Sequence, residues 1–336
     1  MRRLAPTLTS LLTLSLLLAG CGGDEEKPSA DPSSSDPSVS EGATLATTWP
    51  LTGLPATGSD DVVQRHPVLV AKIDNTSSSS PQAGLGSADL VVEELVEGGL
   101  TRLAVFYYSE LPSAVGPVRS MRASDIGIVS PVGASVVTSG AAQRTKDRIS
   151  AAGISFFEEG AAGIYRDGGR PAPYNVFADL TAVAKTAATK PARPEDYLPW
   201  ATGDEQPSGR RARTLTASFS GGHSTTWVYR GGGYANTDTY AAADDQFPAD
   251  TVLVLRVEVG DAGYLDPAGN PVPETKLEGE GPALLFHGGR VVRASWAKDG
   301  LDGKITLSTK DGALGVPPGH TWIELVPATG GNVTFK

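Results

Sequence analysis

Short polar blocks rich in arginine and carboxylate are the residues of this chain whose types and spacing could do chemistry. Arg119 and Arg122 are three positions apart, so a helical turn would place both guanidinium groups on one face. A guanidinium binds a carboxylate or a phosphate through two parallel N–H groups. The candidate ligand-binding residues that these blocks supply are Asp74, Asn75, Glu94, Glu97, Arg102, Arg119, Arg122, Arg166, Asp167, Arg170 and Asn175.

Two interpretations of these blocks stay open at the level of sequence. Several converging guanidiniums could bind an anionic ligand, such as a phosphodiester, a uronic acid or a peptide carboxylate. Alternatively, the acids and bases pair with one another and hold loops together, because their numbers are roughly balanced. A hydrolase would need two carboxyl groups about 5–9.5 Å apart, as in glycosidases, and Asp74, Glu94 and Glu97 are the candidates. The spacing identifies no such pair, so no catalytic residue is assigned.

Other catalytic and cofactor sites lack their sequence signatures. The chain has 4 His and 1 Cys, which are too few and too scattered for a dedicated metal site. It contains no G-x-S-x-G nucleophile elbow and no phosphate-binding G-x-x-x-x-G-K-[ST] loop. We therefore expect no metal and no cofactor, and the sequence favours a binding protein over an enzyme.

The N-terminus carries an export signal. Arg2 and Arg3 precede the apolar residues 8–19, a stretch too short to span a bilayer of about 30 Å comfortably. The stretch ends in Leu-Ala-Gly before Cys21, which is similar to the lipobox of bacterial lipoproteins. The pattern predicts a signal peptide over residues 1–20, cleavage before Cys21, and a diacylglycerol on its sulfur with fatty-acyl chains such as palmitate. An ordinary secretory signal is the alternative.

Composition limits the partners of the protein. The 336 residues include 28 Lys and Arg against 38 Asp and Glu, for a formal net charge of -10, with no basic run. Such a chain is a poor candidate for nucleic-acid binding, which depends on phosphate neutralisation. We expect the lipid on Cys21, rather than protein charge, to hold the protein on the extracytoplasmic side of the cell membrane. A cell-wall or envelope protein is a candidate partner, and the sequence does not predict the oligomeric state.

The mature chain begins with a tether and continues into an α/β-type domain over residues 49–195. Residues 21–48 are rich in Ser, Pro and acidic residues and predict a disordered segment. Asn175 is a candidate N-cap for the last helix of the domain. The predicted elements of this domain are strands over 67–73, 100–108 and 134–138 and helices over 121–128, 141–152 and 176–189.

A linker over residues 196–212 leads to a smaller domain over residues 213–336. Short β-branched runs alternate there with Gly-rich turns, which predicts a β-rich, mostly antiparallel unit. The fold class predicted for the whole chain is α+β. The candidate strands of the second domain are 225–230, 251–259, 283–287, 290–296, 304–308, 321–326 and 332–335.

Several short motifs follow one another in a specific order along the chain. They are IDN at 73–75, EGGLTR at 97–102, GPVRSMR at 116–122, APYN at 172–175 and PGHTWI at 318–323. As an ordered set they resemble the YerB-like lipoprotein family, over nearly all of the mature chain. The resemblance implies a two-domain envelope lipoprotein of unknown function. The family often has His where this chain has Thr76 and Tyr174.

Together, the export signal and the resemblance favour a lipid-anchored binding or scaffolding protein that acts near cell-wall assembly. A first alternative is an enzyme or receptor that acts on an anionic envelope ligand through the arginine and carboxylate blocks. A second alternative is a solute-capture lipoprotein, which would have a deep cleft between its two domains.

Overall fold

The computed structural model describes residues 47–58, 61–202 and 208–336. The predicted signal peptide, the predicted lipidation site Cys21 and nearly all of the predicted tether lie outside these ranges. Within the described ranges, no helix has both the length and the apolar character needed to cross a membrane.

The first half of the described chain combines short strands with short helices. Its strands are β1 (Leu69–Asp74), β2 (Leu90–Leu95), β3 (Thr101–Tyr107), β4 (Ser135–Val137), β5 (Phe156–Phe157), β6 (Ile164–Arg166) and β7 (Val176–Ala178). Its α-helices are α1 (Asp125–Val129), α2 (Gln143–Ala151) and α3 (Leu180–Thr186). β1 and β3 are buried along their whole length, which is typical of strands whose sheet is covered on both faces.

The second half of the described chain is built from strands. They are β8 (Arg210–Arg211), β9 (Thr214–Ser218), β10 (Ser224–Arg230), β11 (Gly233–Asn236), β12 (Thr251–Leu265), β13 (Pro271–Lys276), β14 (Gly279–His287), β15 (Arg290–Lys298), β16 (Thr306–Thr309), β17 (Gly312–Ala313), β18 (Thr321–Pro327) and β19 (Asn332–Phe335). β-Branched and aromatic residues fill β12 and β18, and such side chains favour a pleated, buried surface.

One large mixed sheet contains strands from both halves. Within the described ranges it has 13 strands, in the order β17-β16-β15-β14-β12-β18-β2-β3-β1-β4-β5, with β13 beside β12 and β8 beside β15. β18 from the second half pairs in parallel with β2 from the first half, with Glu324 opposite Glu93. β18 also pairs in parallel with β12. The two halves of the sequence therefore share a continuous sheet.

Both faces of the large sheet are covered by other elements. On one face, α1 and α2 pack through Ile128 and Ile149. On the other face, the small sheet β11-β10-β9-β19 and the ribbon β6-β7 pack through Leu215, Trp227 and Val176. Burying one large aliphatic side chain stabilises a fold by about 1.5–3 kcal/mol, so these two apolar layers hold the sheet between them.

The fold is predominantly β, which corrects the prediction of an α+β class. Most strand pairs in the second half are antiparallel, while β18 pairs in parallel with both of its neighbours. A short apolar run in a sequence is compatible with either a buried strand or a buried helix. The sequence pattern therefore overestimated the helical content of the first half.

The helix predicted over residues 121–128 is wrong at its start. α1 begins only at Asp125, and residues 117–119 before it pair with the C-terminal end of β1. The backbone N–H of Arg119 donates a hydrogen bond to the carbonyl of Lys72 at 2.7 Å. This backbone pairing holds Arg119 in extended chain, so Arg119 and Arg122 do not share a helical face.

The helix predicted over residues 176–189 also begins later than expected. Residues Val176–Ala178 form strand β7, and α3 follows after Asp179. The Asp179 carboxylate accepts hydrogen bonds from the backbone N–H groups of Thr181 and Ala182, so Asp179 is the N-cap. The prediction that Asn175 caps this helix is wrong.

Candidate functional site

Strand β2 places two consecutive glutamates on opposite faces of the large sheet, because side chains alternate along a strand. Both side chains are fully buried. Glu93 points toward the small sheet and Glu94 toward α1. We name their surroundings the Glu93 cluster (Glu93, Asn75, Thr101, His223, Thr225 and Glu324) and the Glu94 cluster (Glu94, Lys72 and Asp125).

The Glu94 cluster is a buried ion-pair triad. The Nζ of Lys72 donates to Oε1 of Glu94 and to Oδ1 of Asp125, each at 2.6 Å, and all three side chains are shielded from solvent. Burial lowers the pKa of Lys72, but the two carboxylates outweigh it and raise the pKa overall. Burial raises the pKa of Glu94 against the opposing effect of Lys72. The ammonium thus compensates two buried carboxyl groups and joins α1 to the sheet.

Three arginines gather at the outer end of this face, and we name Arg102, Arg119 and Arg122 the arginine cluster. Arg122 is fully paired: its Nε and Nη2 donate to the two carboxylate oxygens of Glu97 at 2.5 and 2.7 Å. Burial raises the pKa of Glu97, but the hydrogen bonds and charge of Arg122 lower it below its usual value overall. A forked pair of this kind is among the strong charge-assisted contacts in proteins.

Arg119 is partly paired. Its Nε lies 3.3 Å from Oδ2 of Asp74, and its Nη1 donates to the carbonyl of Pro173 at 3.2 Å. Its guanidinium lies over the ring of Tyr174, 5.2 Å from the centroid, and the hydroxyl of Thr76 donates to Asp74. Positions 76 and 174, where the resembled family often has His, therefore flank the Asp74–Arg119 ion pair.

Arg102 has no carboxylate within ion-pair distance in the described part of the chain. The residue is only 8% exposed. Its Nη1 donates to the carbonyl of Ser120 at 2.9 Å, its Nε is buried without a hydrogen-bond partner, and its Nη2 keeps some exposure to solvent. Burial, followed by the charge of Arg122, lowers the pKa of Arg102 to about 10. Arg102 is thus a buried cation without a carboxylate in direct contact, and the more distant charges of Glu97 and Asp74 do not offset its burial.

An open cleft of about 610 Å³ lies beside the arginine cluster. Its base includes Glu97, Ser120 and Arg122, and one wall carries Lys146 at the start of α2. Lys146 pairs with Glu158, another lining residue, at 2.6 Å. The two basic residues that line the cleft, Arg122 and Lys146, are therefore each paired with a glutamate. The cation of the arginine cluster without a described carboxylate partner is Arg102, which donates to the carbonyl of the lining residue Ser120.

The opposite wall of the cleft is the β12–β13 hairpin. Arg144 of α2 donates to the carbonyl of Gly263, and the hydroxyls of Thr145 and Tyr264 are 2.7 Å apart. At the rim, Asp266 accepts hydrogen bonds from the backbone of its own turn. These contacts attach the β12–β13 hairpin to α2, so the distance between the two walls of the cleft is fixed.

The Glu93 cluster is closed and well supplied with donors. Burial lowers the pKa of His223, but Glu93 outweighs it and raises the pKa overall. The Oε1 of Glu93 lies within hydrogen-bond distance of Thr101 Oγ1 (2.7 Å), Asn75 Nδ2 (3.0 Å), His223 Nε2 (3.0 Å) and Thr225 Oγ1 (3.0 Å). Glu93 therefore links β2 to the small sheet through His223 and Thr225.

Glu324 completes the Glu93 cluster from β18. Its Oε1 accepts a hydrogen bond from the Nε1 of Trp227 at 2.7 Å. Burial, followed by the charge of Glu93, raises the pKa of Glu324 well above its usual range. The raised pKa favours the protonated form of Glu324 beside the carboxyl group of Glu93.

The remaining predicted ligand-binding residues lie away from the cleft. Asn75 belongs to the Glu93 cluster. Arg166 is forked onto the exposed Glu159, and its Nη1 donates to the side-chain oxygen of Asn175 at 2.7 Å. Arg170 lies 3.5 Å from Asp167 and donates to two backbone carbonyls of the loop before β2. These contacts hold loops together.

The structure brings five of the predicted residues together: Asp74, Glu97, Arg102, Arg119 and Arg122. Other charged residues of the two faces were not predicted from the sequence. Lys72 and Glu324 were the most predictable of them, because each is a charged residue inside an otherwise apolar strand. A charge inside a fully apolar strand indicates a buried partner. The missed residues are Lys72, Glu93, Asp125, Lys146, His223 and Glu324.

The carboxylates considered for hydrolysis are each held by a basic side chain. Glu94 binds Lys72, Glu97 binds Arg122, and Asp74 lies against Arg119. In the described ranges, no three Asp, Glu, His or Cys side chains are placed to hold a metal ion together. Arg122 lines the cleft, whereas Arg102 and Arg119 are its neighbours in the arginine cluster and do not line the cleft themselves. Their guanidiniums are suited to binding an anionic group.

Comparisons with known proteins match most of the chain to one family. Residues 51–193 match the family described as "Protein of unknown function (DUF3048) N-terminal domain", and residues 215–323 match its C-terminal domain. The Bacillus subtilis (strain 168) protein named "Putative lipoprotein YerB" is 27% identical over 293 residues, which cover 83% of this chain and 86% of the relative. The crystal structure of YerB from Bacillus subtilis is similar, with a TM-score of 0.71 at 21% identity over 85% of this chain and 99% of that chain.

Proposed function

This chain belongs to the YerB-like DUF3048 family, and we propose that it is a lipid-anchored binding protein of the cell envelope. The proposed ligand carries a phosphate or carboxylate group, which the arginine cluster binds at the cleft. Binding of such a group from the wall or its precursors would place the protein near cell-wall assembly.

Two observations support the lipid anchor, and neither comes from the described part of the fold. The residues before Cys21 resemble a lipobox, and the relative from Bacillus subtilis bears the name of a lipoprotein. A second acyl chain makes membrane attachment stable, because each buried CH₂ contributes about 0.8 kcal/mol. The tether over residues 21–48 would then hold the folded part roughly 30 Å from the extracytoplasmic surface of the membrane.

One observation carries the ligand chemistry: Arg102 is buried without a carboxylate partner. An unpaired charge in a protein interior costs several kcal/mol, which an oppositely charged group offsets. In the described part of the chain, neither Nη2 of Arg102 nor Nη2 of Arg119 donates a hydrogen bond. An anion held between them would supply the missing charge and accept charge-assisted hydrogen bonds.

The cleft also limits the size and character of the ligand. A volume of about 610 Å³ falls in the range of small-molecule sites, about 300–1,000 Å³. Tyr264 and the exposed Leu265 line the hairpin wall. The site therefore fits an anionic head group that is attached to a less polar body, such as one unit of a wall polymer or a short peptide.

The test is calorimetric titration of the full-length protein with four probes: inorganic phosphate, glycerol phosphate, glucuronate and N-acetyl-alanine. We expect at least one probe to bind and to be recovered chemically unchanged. Arg102→Gln should weaken that binding at least ~10-fold, which corresponds to about 1.4 kcal/mol. Arg166→Gln is the matched control and should bind normally, because Arg166 lies away from the cleft. Binding of no probe, or equal loss in both variants, would overturn the proposal.

Solute capture is the second candidate, and one observation favours it. The cleft is lined by both family-matched regions, with Glu97 and Arg122 on one side and Tyr264 and Leu265 on the other. A solute-capture protein would retain a free small molecule, whereas a wall-binding protein would retain a fragment of polymer. Mass spectrometry of the ligand released from the native protein distinguishes the two.

A further inference from the structure

Six exposed basic side chains form a surface patch on the second half of the chain. Arg210, Arg211 and Arg213 are close together in the sequence, and the other three basic residues come from two segments that are far from them. We name this surface the basic patch, and its members are Arg210, Arg211, Arg213, Arg290, Arg293 and Lys336.

Strand pairing brings the three segments together. β8 lies antiparallel to β15, with Arg211 directly opposite Arg290. The carbonyl of Lys336 accepts hydrogen bonds from the backbone N–H groups of Arg213 and Thr214, at 2.7 and 3.0 Å. Like charges on neighbouring strands repel one another, so this arrangement costs stability unless something outside the chain compensates it.

Two aromatic rings hold three of the guanidiniums in place. Arg210 and Arg293 lie over the ring of Phe335, 5.4 and 5.6 Å from its centroid. Arg213 lies over the ring of Tyr229 at 5.2 Å and donates to the carbonyl of the same residue. Cation–π contacts restrict the rotamers of long side chains, so these donors are held in position before any ligand arrives.

The basic patch has no internal counter-charge. The segments 208–213, 288–293 and 331–336 contain no Asp or Glu. In the described part of the chain, none of the six side chains belongs to an ion pair. The chain as a whole carries a net charge of -10, so the patch is a local reversal of sign that can attract and orient a polyanion.

We propose that the basic patch binds a linear envelope polyanion whose repeating unit is a polyol phosphate. Guanidinium forks match phosphate oxygens, and several forks on one surface can follow successive phosphates along a polymer. This surface is separate from the cleft, so the inference does not depend on the ligand proposed for Arg102.

Two other polyanionic surfaces fit the basic patch less well. A membrane-binding surface usually adds apolar side chains that enter the lipid, but the exposed large apolar residues of the described chain are Leu100, Tyr165 and Leu265, none of them in the patch. Single-stranded nucleic acid is bound largely by stacking bases on free aromatic rings. The rings of Tyr229 and Phe335 already carry guanidiniums.

The test measures binding of a fluorescent poly(glycerol phosphate) oligomer to the full-length protein by anisotropy. If four phosphates are engaged, affinity should fall roughly 50-fold between low salt near 50 mM and higher salt near 200 mM. The variant Arg210→Glu with Arg293→Glu should lose at least ~10-fold in affinity. The matched control Lys185→Glu with Lys310→Glu makes the same charge change on exposed residues outside the patch, and it should lose less than ~2-fold.

Arg210→Gln with Arg293→Gln should show a smaller loss than the glutamate variant, and all variants should unfold at the temperature of the parent protein. Equal losses in the patch and control variants would overturn the proposal, as would the absence of binding. Tighter binding to phosphatidylglycerol vesicles than to the polymer would instead identify a membrane surface. Tighter binding to an oligothymidine of equal length would identify a nucleic-acid surface, and either result would reject a polyol phosphate.

Discussion

The two faces of β2 carry adjacent glutamates, but the residues that surround these glutamates differ in their chemistry. On one face, Glu93 meets Asn75, Thr101, His223 and Thr225, and the proton of Glu324 completes the set. On the other face, charges continue outward from Glu94 to the arginine cluster and the open cleft. The first face encloses its carboxyl groups, including a buried Oε2 of Glu324 that has no hydrogen-bond partner among the described residues. The second face leaves Arg102 without a described carboxylate partner near an open cleft.

This difference separates structure from function in a fold with many buried charges. A perturbed pKa alone does not mark a binding site, since Glu324 is strongly perturbed and fully enclosed. Arg102 differs because its neighbours Ser120 and Arg122 line an open cleft. We therefore expect substitutions in the Glu93 cluster to change stability more than ligand binding. Substitution of Arg102 should change ligand binding more than stability.

The largest effect is expected from Lys72→Met. The substitution leaves Glu94 and Asp125 buried without a cation, and removing one partner of a buried pair costs about 3–5 kcal/mol. Urea unfolding monitored by circular dichroism measures the loss. Lys304→Met is the matched control, because Lys304 pairs with Glu195 at the surface, where a pair contributes about 0–1 kcal/mol. A loss below that of the control would mean that the triad does not hold α1.

A smaller loss is expected from Glu93→Gln. The substitution removes the charge that accepts from four donors, and hydrogen bonds to a charged group contribute about 1.5–3 kcal/mol. Glu324→Gln should change stability much less near pH 4.5, because the raised pKa of Glu324 favours its neutral form there and an amide replaces it at similar size. The free energies of unfolding of the two variants provide the check. Equal costs would contradict the assignment of a proton to Glu324.

The raised pKa of Glu324 also predicts how the free energy of unfolding depends on pH. The pKa of Glu324 is raised on folding, so the folded state keeps a proton that the unfolded state loses above about pH 4.5. Its contribution to stability is complete below that pH and declines as the pH rises, by about 1.4 kcal/mol per unit. Unfolding of the parent protein and of Glu324→Gln at a series of pH values should diverge with this slope. Parallel curves would remove Glu324 as the protonated partner.

The smallest effect on stability is expected from Arg102→Met. The substitution removes a buried cation that lacks a carboxylate, so the lost hydrogen bond to Ser120 is offset by the relief of desolvation. Urea unfolding in phosphate-free buffer should differ from the parent by about 1 kcal/mol or less. A loss as large as that of Lys72→Met would show that Arg102 is a structural residue like the others.

Local patterns in the sequence predicted much of this organisation. The apolar runs gave β1 and β3 nearly in full, and the ordered motifs identified the family and five residues of the site region. The helices were less predictable, because the backbone of Arg119 pairs with β1 and Asp179 rather than Asn175 caps α3. Those outcomes depend on tertiary contacts that periodicity does not contain.

Long-range pairing explains what the sequence could not predict. Glu93 and Glu324 are far apart in the chain and become neighbours only when β2 pairs with β18. The basic patch likewise needs β8 to meet β15 and the C-terminal strand to meet β9. The residues 210–213 are a local cluster in the sequence, but only the strand pairing shows that Arg290, Arg293 and Lys336 join them on one surface.

The most direct test of the central claim is a nuclear magnetic resonance titration of the arginine side chains. The full-length protein is labelled with ¹⁵N-arginine, and its Nε–H signals are followed as the tightest-binding probe of the calorimetric panel is added. The account predicts that the signals of Arg102 and Arg119 shift and saturate together, while that of Arg166 stays unchanged. A titration in which Arg102 does not respond, or in which all arginines shift alike, would contradict it.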